Sequence, residues 1–173
     1  ALGAIKDARD EFPDDNNLIL TEATIQIKVG NNEKAFELFR EALKREPDNP
    51  DLNYNVGITA MEVEQYDVAK SAFEQTLKLK PDYANAALNL SFLEVNKGNA
   101  MNDEMNTLGN SAADNKRYDE LKAQKNELFQ AGAEILEKFV SNNPNLKNAD
   151  IYNQLANIYS ALGEMDKYKT YKA

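Results

Sequence analysis

Apolar residues recur along the chain at the spacing of an α-helix. Ala35 and Phe39 share one helical face, and Ala69 and Phe73 share another further along. No stretch shows the sustained alternation of apolar and polar residues that is typical of a half-buried strand. The pattern therefore predicts an all-α protein of short amphipathic helices separated by turns.

Prolines mark a regular period in this pattern. Pro13, Pro47 and Pro81 are 34 residues apart, and a residue that cannot continue a helix is expected at such helix ends. A fixed period of this length predicts stacked antiparallel helix pairs. Pro144, the next equivalent proline, follows 63 residues after Pro81. We therefore expect one elongated hairpin whose two helices are each longer by about 14 residues.

The elongated hairpin offers a candidate interaction surface. Its turn is predicted at the Gly- and Asn-rich residues 109–115, with the second helix resuming at Lys116. Three apolar residues at helical spacing precede this turn: Met101, Met105 and Leu108. They would face Tyr118, Leu121 and Leu128 across the pair. Either they close the hairpin's own seam, or they form a ridge that docks a partner or a second copy, since Met adapts to irregular surfaces.

The residues within the period resemble those of the tetratricopeptide repeat (TPR) family. The segment from Pro50 to Tyr83 carries the family's small residue at Gly57 in its first helix, and Ala69 and Phe73 in its second. The other repeats carry comparable residues, namely Ala23, Gly30, Ala35, Phe39, Tyr152, Ala156 and Tyr159. The resemblance implies an all-α, right-handed superhelix of antiparallel helix pairs with one elongated hairpin.

On this resemblance the chain is expected to be a single solenoid over residues 1–173. Its parts are the second helix of a truncated repeat (1–13), two repeats (16–49 and 50–83), a repeat with the elongated hairpin (84–146), and a C-terminal repeat with its cap (149–173). The lone first helix would expose Leu2, Ile5 and Ala8. We expect a fragment of a longer array in which this stripe frays or is buried by self-association.

The resemblance also implies a concave groove lined by the first helix of each pair. The groove residues expected to bind a protein or peptide partner are Ile27, Tyr54, Asn55, Ile58, Leu88, Asn89, Phe92 and Gln154. Lys28 is the one clear cation among the groove positions, which disfavours the clamp that related domains use for acidic C-termini. Asn55 and Asn89 fit an asparagine ladder, because an amide can both donate to and accept from a peptide backbone. Asparagine is also common there in the family without such a role.

Three polar residues depart from the family's pattern. Glu22, Gln26 and Glu94 occupy positions that the family usually fills with apolar or aromatic side chains. One interpretation is that these side chains reach solvent. The alternative is a buried carboxylate paired with Lys or Arg, because an unpaired buried charge is costly.

Charge and composition narrow the function. The 29 acidic and 20 basic residues give a net charge of −9, which disfavours binding to nucleic-acid phosphates. No apolar run approaches the length of a membrane span. The chain has no Cys and no His, so thiol nucleophiles, Ser-His-Asp triads and Cys or His metal sites are absent. We expect no cofactor, no metal and no catalytic activity.

The expected function is a non-catalytic protein–protein interaction module with an unidentified protein or peptide partner. Two alternatives stay open: self-assembly through the elongated hairpin or the truncated end, and a non-catalytic part of a larger enzyme. The segment 110–128 resembles an extension found in exported TPR proteins of Gram-negative bacteria. That resemblance implies a periplasmic or exported location.

Overall fold

The computed structural model describes residues 2–172, which form nine α-helices and no strand. The helices are α1 (Leu2–Glu11), α2 (Asn16–Lys28), α3 (Asn32–Arg45), α4 (Pro50–Glu62), α5 (Tyr66–Leu79), α6 (Ala84–Met105), α7 (Ala112–Asn142), α8 (Ala149–Leu162) and α9 (Met165–Lys172). The predicted all-α class is confirmed. Residues 1 and 173, the ends of the first and last predicted repeats, lie outside the described part. None of the described helices is long and apolar enough to cross a membrane.

The helices gather into two compact units, one ending at Lys80 and one beginning at Pro81. In the first unit α2 pairs with α3 and α4 pairs with α5, while α3 also packs on α4. Close backbone approach makes the second pair possible. A Cβ at Gly57 would lie 2.5 Å from the ring of Phe73, a side chain with no exposed surface. Only glycine lets that ring fill the space beside α4.

The first helix is partly covered. Because α1 packs on α2, Ile5 is buried at 8% exposure and Ala8 is half-buried, while Leu2 stays 40% exposed. The expectation of a wholly uncovered stripe is therefore wrong for Ile5.

In the second unit α6 pairs with α7, and α8 packs on α6, α7 and α9. The elongated hairpin exists, but its extra length is unequal: α6 has 22 residues against 13 in α4, and α7 has 31 against 14 in α5. The predicted restart at Lys116 is wrong because α7 begins at Ala112. Ser111 and Asp114 form a reciprocal capping box there, which satisfies backbone N–H groups at the helix start.

A tyrosine cluster joins α9 to the rest of the second unit. The hydroxyl groups of Tyr159 and Tyr171 both donate to Oε1 of Glu137, at 2.7 and 3.0 Å. Their rings stack with centroids 5.8 Å apart, and the ammonium of Lys167 lies 4.5 Å from the centre of the Tyr159 ring. Because no residue of α9 is buried, these contacts hold the helix in place.

Three of the turns between paired helices contain one residue in the left-handed backbone conformation. Gly30 and Gly163 take it at φ 80° and 77°, and Glu64 takes it at φ 60°. Gly98, two 34-residue periods after Gly30, stays within α6 and instead lets Phe129 approach the helix. The absence of a turn at this position is what lengthens α6.

Replacing Glu64 with glycine should stabilise the protein. The left-handed conformation costs a residue with a Cβ about 1 kcal/mol that glycine avoids. We expect Glu64→Gly to raise the free energy of unfolding by about 1 kcal/mol in chemical denaturation. Gly30→Ala, the matched reverse change at φ 80°, should lower it by a similar amount. Equal stabilities for both variants and the wild type would contradict this account.

Alkaline pH should loosen the tyrosine cluster. Burial, together with the hydrogen bond to Glu137, raises the pKa of Tyr159 and raises the pKa of Tyr171 to about 12, from an ordinary 10.0. A raised folded-state pKa means that the stabilisation is complete below pH 10.0 and is lost as the pH rises through the folded value. Tyrosinate absorbance should therefore keep rising well beyond pH 10.0, and Tyr171→Phe should remove part of that late rise. A titration of the folded protein that finished near pH 10.0 would show that the cluster does not form.

Candidate protein-interaction surfaces

The predicted groove residues of the first unit lie on α2 and α4. Tyr54, Asn55 and Ile58 share one face of α4 and are all half-buried. The Tyr54 ring contacts the buried ring of Phe73, with centroids 5.8 Å apart. Ile27, at the end of α2, is 43% exposed. The structure thus brings the three residues of α4 together on one partly apolar face. The ring of Tyr54 on this face packs against the buried ring of Phe73.

The predicted groove residues of the second unit lie on α6 and α8. Leu88 and Asn89 are half-buried on α6, and Phe92 on the same face is 44% exposed. Gln154 is half-buried on α8, which packs against α6. Additional exposed amides line these two helices: Asn85, Asn96, Asn153 and Asn157.

The segment of α6 around Phe92, residues 85–96, carries no exposed charged side chain. Between residues 85 and 96 the one charged residue is Glu94, which is only 6% exposed. This surface therefore combines an exposed aromatic ring with neutral hydrogen-bonding groups, in a chain where 28% of residues are charged. Such a surface recognises shape and hydrogen bonds instead of charge.

The hairpin candidates lie in the last turns of α6 and in the loop that follows it. Met101, Met105 and Leu108 are half-buried, and Leu121 on the facing helix is buried at 3% exposure. Tyr118, expected in the same seam, is instead 42% exposed.

Polar contacts connect the last turns of α6 to the first half of α7. The Arg117 guanidinium donates from Nε and Nη2 to the two carboxylate oxygens of Glu104, at 2.7 and 3.1 Å. These hydrogen bonds hold the pKa of the Glu104 carboxyl below its usual value. Nζ of Lys125 donates to Oδ1 of Asn102 at 2.8 Å. These contacts favour the seam interpretation, and docking through this hairpin stays a prediction.

Arg9 forms ion pairs that connect α1 to α2 and α3, a role that the sequence analysis did not predict. Its guanidinium pairs with Glu22 and donates from Nη2 to both oxygens of Glu41, at 3.1 and 3.2 Å. The Glu22 side chain is half-buried at 14% exposure and is paired with an arginine, which favours the second interpretation for this residue. Gln26 and Glu94 are buried, at 8% and 6% exposure, so the solvent-reaching interpretation is wrong for them. The one sequence signal for this ion pair was a charged residue, Glu22, at a position that the family usually fills with an apolar side chain.

The repeat family is recognised by its sequence profiles. A tetratricopeptide repeat profile matches residues 20–62 and 54–100, and a second tetratricopeptide repeat profile matches residues 149–171. Together these matches cover more than half of the chain. The Protein CTR9 homolog of Arabidopsis thaliana is 28% identical over 96 residues, which is 55% of this chain and 9% of that protein. The chain thus spans under a tenth of that relative's length.

Solved structures share the fold. A crystal structure of MamA superimposes with a TM-score of 0.69 at 16% identity, covering 99% of this chain and 76% of that one. A second MamA structure gives 0.67 at 18% identity, covering 98% and 81%. A tetratricopeptide repeat protein from Parabacteroides merdae gives 0.54 at 16% identity, covering 99% and 69%. With the profile matches, these likenesses show that the chain belongs to the tetratricopeptide repeat family, whose fold serves as a protein-interaction scaffold.

Proposed function

We propose that the chain is a non-catalytic module that binds peptide segments of a protein partner, with the first-helix face of each unit acting as a binding surface of its own. The observation that carries the proposal is Phe92, a large apolar side chain left 44% exposed while α6 around it is well packed. Aromatic side chains in such positions commonly supply most of the binding energy of an interface. Tyr54 and Ile58 offer a comparable apolar anchor on α4.

Amides beside these anchors supply backbone recognition. Asn55 and Asn89 lie 34 residues apart, each next to an apolar anchor of its own helix. Gln154 on α8 offers a third amide. A side-chain amide can pair with a peptide N–H and C=O whatever the partner's sequence. On each unit's face, the apolar anchors therefore set the affinity, and the amides of that face orient the segment bound there.

The absence of catalysis belongs to the same proposal. The family's proteins are generally scaffolds without catalytic activity. The chain also lacks Cys and His, the residues that most often act as nucleophile and base. Export to the periplasm remains a proposal supported by the resemblance of residues 110–128.

Loss of the aromatic anchor should weaken binding more than loss of an amide. Peptides of about 15 residues would be selected from a random display library on the wild-type protein, and their affinities measured by fluorescence anisotropy. We expect Phe92→Ala to weaken the best binder about 30-fold, and Asn89→Ala about fivefold, because a desolvated aromatic contributes more than one amide hydrogen bond. Raised salt should change the affinity little, since the surface around Phe92 is uncharged.

Phe12→Ala serves as the matched control. Phe12 is 55% exposed and lies in the turn between α1 and α2, outside the predicted groove residues, so its truncation should leave the affinity unchanged. Tyr54→Ala also removes a ring that contacts Phe73, so its folding would be checked by circular dichroism. A peptide whose affinity survived Phe92→Ala combined with Tyr54→Ala, or fell steeply with salt, would contradict the proposed site.

A further inference from the structure

Four helix ends of the first unit meet at one edge. Because the helices are antiparallel neighbours, the ends of α2 and α4 lie beside the beginnings of α3 and α5. Nδ2 of Asn32 donates to Oε2 of Glu62 at 3.2 Å, which joins the turn after α2 to the end of α4. We call residues 27–33 and 61–67 the loop edge.

The loop edge concentrates exposed apolar side chains. Ile27, Val29 and Tyr66 are 43%, 58% and 41% exposed. Nine large apolar side chains of the described chain are exposed, and these two short segments hold three of them. Isolated exposed apolar residues are ordinary, but a group of them marks a surface that is covered by something else.

Exposed carboxylates share the loop edge with these apolar side chains. Four exposed acidic side chains lie within the loop edge, namely Glu33, Glu62, Glu64 and Asp67. Lys28 is the one basic residue in the same segments. Lys34, just outside them, has its ammonium 3.2 Å from a carboxylate oxygen of Glu37. The loop edge therefore combines three exposed apolar side chains with an excess of exposed carboxylates.

We propose that the loop edge docks a partner segment that is both cationic and apolar, with Lys or Arg side chains beside leucine-like ones. Its apolar groups would cover Ile27, Val29 and Tyr66, and its cations would face the four carboxylates. Complementary charge speeds encounter and selects the partner, while the apolar contact holds it. Raised salt should therefore weaken binding at the loop edge, whereas it should change binding at the face around Phe92 little.

The opposite edge of the first unit provides an internal comparison. Phe12 is exposed there beside the acidic residues Asp10 and Glu11, but no second large apolar side chain is exposed near it among the described residues. Asp14 at that edge is already paired with Arg45 at 3.4 Å. The opposite edge is thus also acidic, like the loop edge, but it lacks a group of exposed apolar side chains.

A defined peptide pair tests the proposal. The probe is a fluorescein-labelled peptide made of two Lys-Leu-Leu-Lys-Leu-Leu-Lys units, and its counterpart has Glu in place of every Lys. Anisotropy is read with the intact protein at about 0.05 M and 0.5 M salt. We expect the cationic peptide to bind at least about tenfold more tightly than the acidic one, and to weaken as salt rises. Equal binding of both peptides would overturn the proposal.

Variants assign the binding to the loop edge. Val29→Ser with Tyr66→Ser should weaken the cationic peptide about tenfold, and Val29→Ser alone, which spares the start of α5, about threefold. Glu33→Gln with Glu64→Gln should weaken it several-fold and flatten its salt dependence. Thermal unfolding followed by circular dichroism confirms that each variant folds.

Matched controls lie on the opposite edge and on α6. Phe12→Ser and the pair Asp10→Asn with Glu11→Gln should leave the affinity unchanged. If these controls weakened binding as much as the loop-edge variants, the peptide would be attracted by the protein's overall negative charge and not by the loop edge, and the proposal would be wrong. Phe92→Ala should leave this peptide's affinity unchanged, so failure at the loop edge is distinct from failure of the proposed first-helix site.

Discussion

Both units depend on glycines at which an atom of the neighbouring helix packs directly against the backbone. Most helices here have 13 or 14 residues, a length at which an isolated helix is marginal in water, so each needs a tightly packed neighbour. Gly57 admits the ring of Phe73 in the first unit. Gly132 does the same for α6 and α7, since a Cβ there would lie 2.9 Å from Val95 and 3.2 Å from the carbonyl oxygen of Ser91. A larger residue at either position would push apart the helices whose faces form the core.

Much of the fold could be predicted from the sequence because its signals are local and repeated. The 34-residue proline spacing and the small and aromatic positions predicted paired helices, and these are found. The hairpin's proportions were not predicted, because Ser111 and Asp114 lie in a stretch whose composition is typical of a turn. A helix start depends on two specific side chains there, and composition does not reveal their hydrogen bonds.

The candidate surfaces could be predicted only in part. Helical spacing placed Tyr54 with Ile58 and Leu88 with Phe92, but it could not show that Phe92 is left exposed. The loop edge was not anticipated, because Val29 and Tyr66 belong to different repeats and meet at one edge only when α3 packs on α4. The sequence left the environment of Glu22 open between solvent and an ion pair, because its partner, Arg9, lies on another helix.

Arg9 has a mechanical consequence. In a linear repeat array each element ordinarily contacts only its neighbours, so helices can peel from an end one by one under tension. Arg9 binds carboxylates on both α2 and α3, so pulling α1 away must break its contacts with two helices at once. Detaching α1 under tension should therefore need more force than detaching a helix that contacts a single neighbour, because the ion pairs to α2 and to α3 break in the same step.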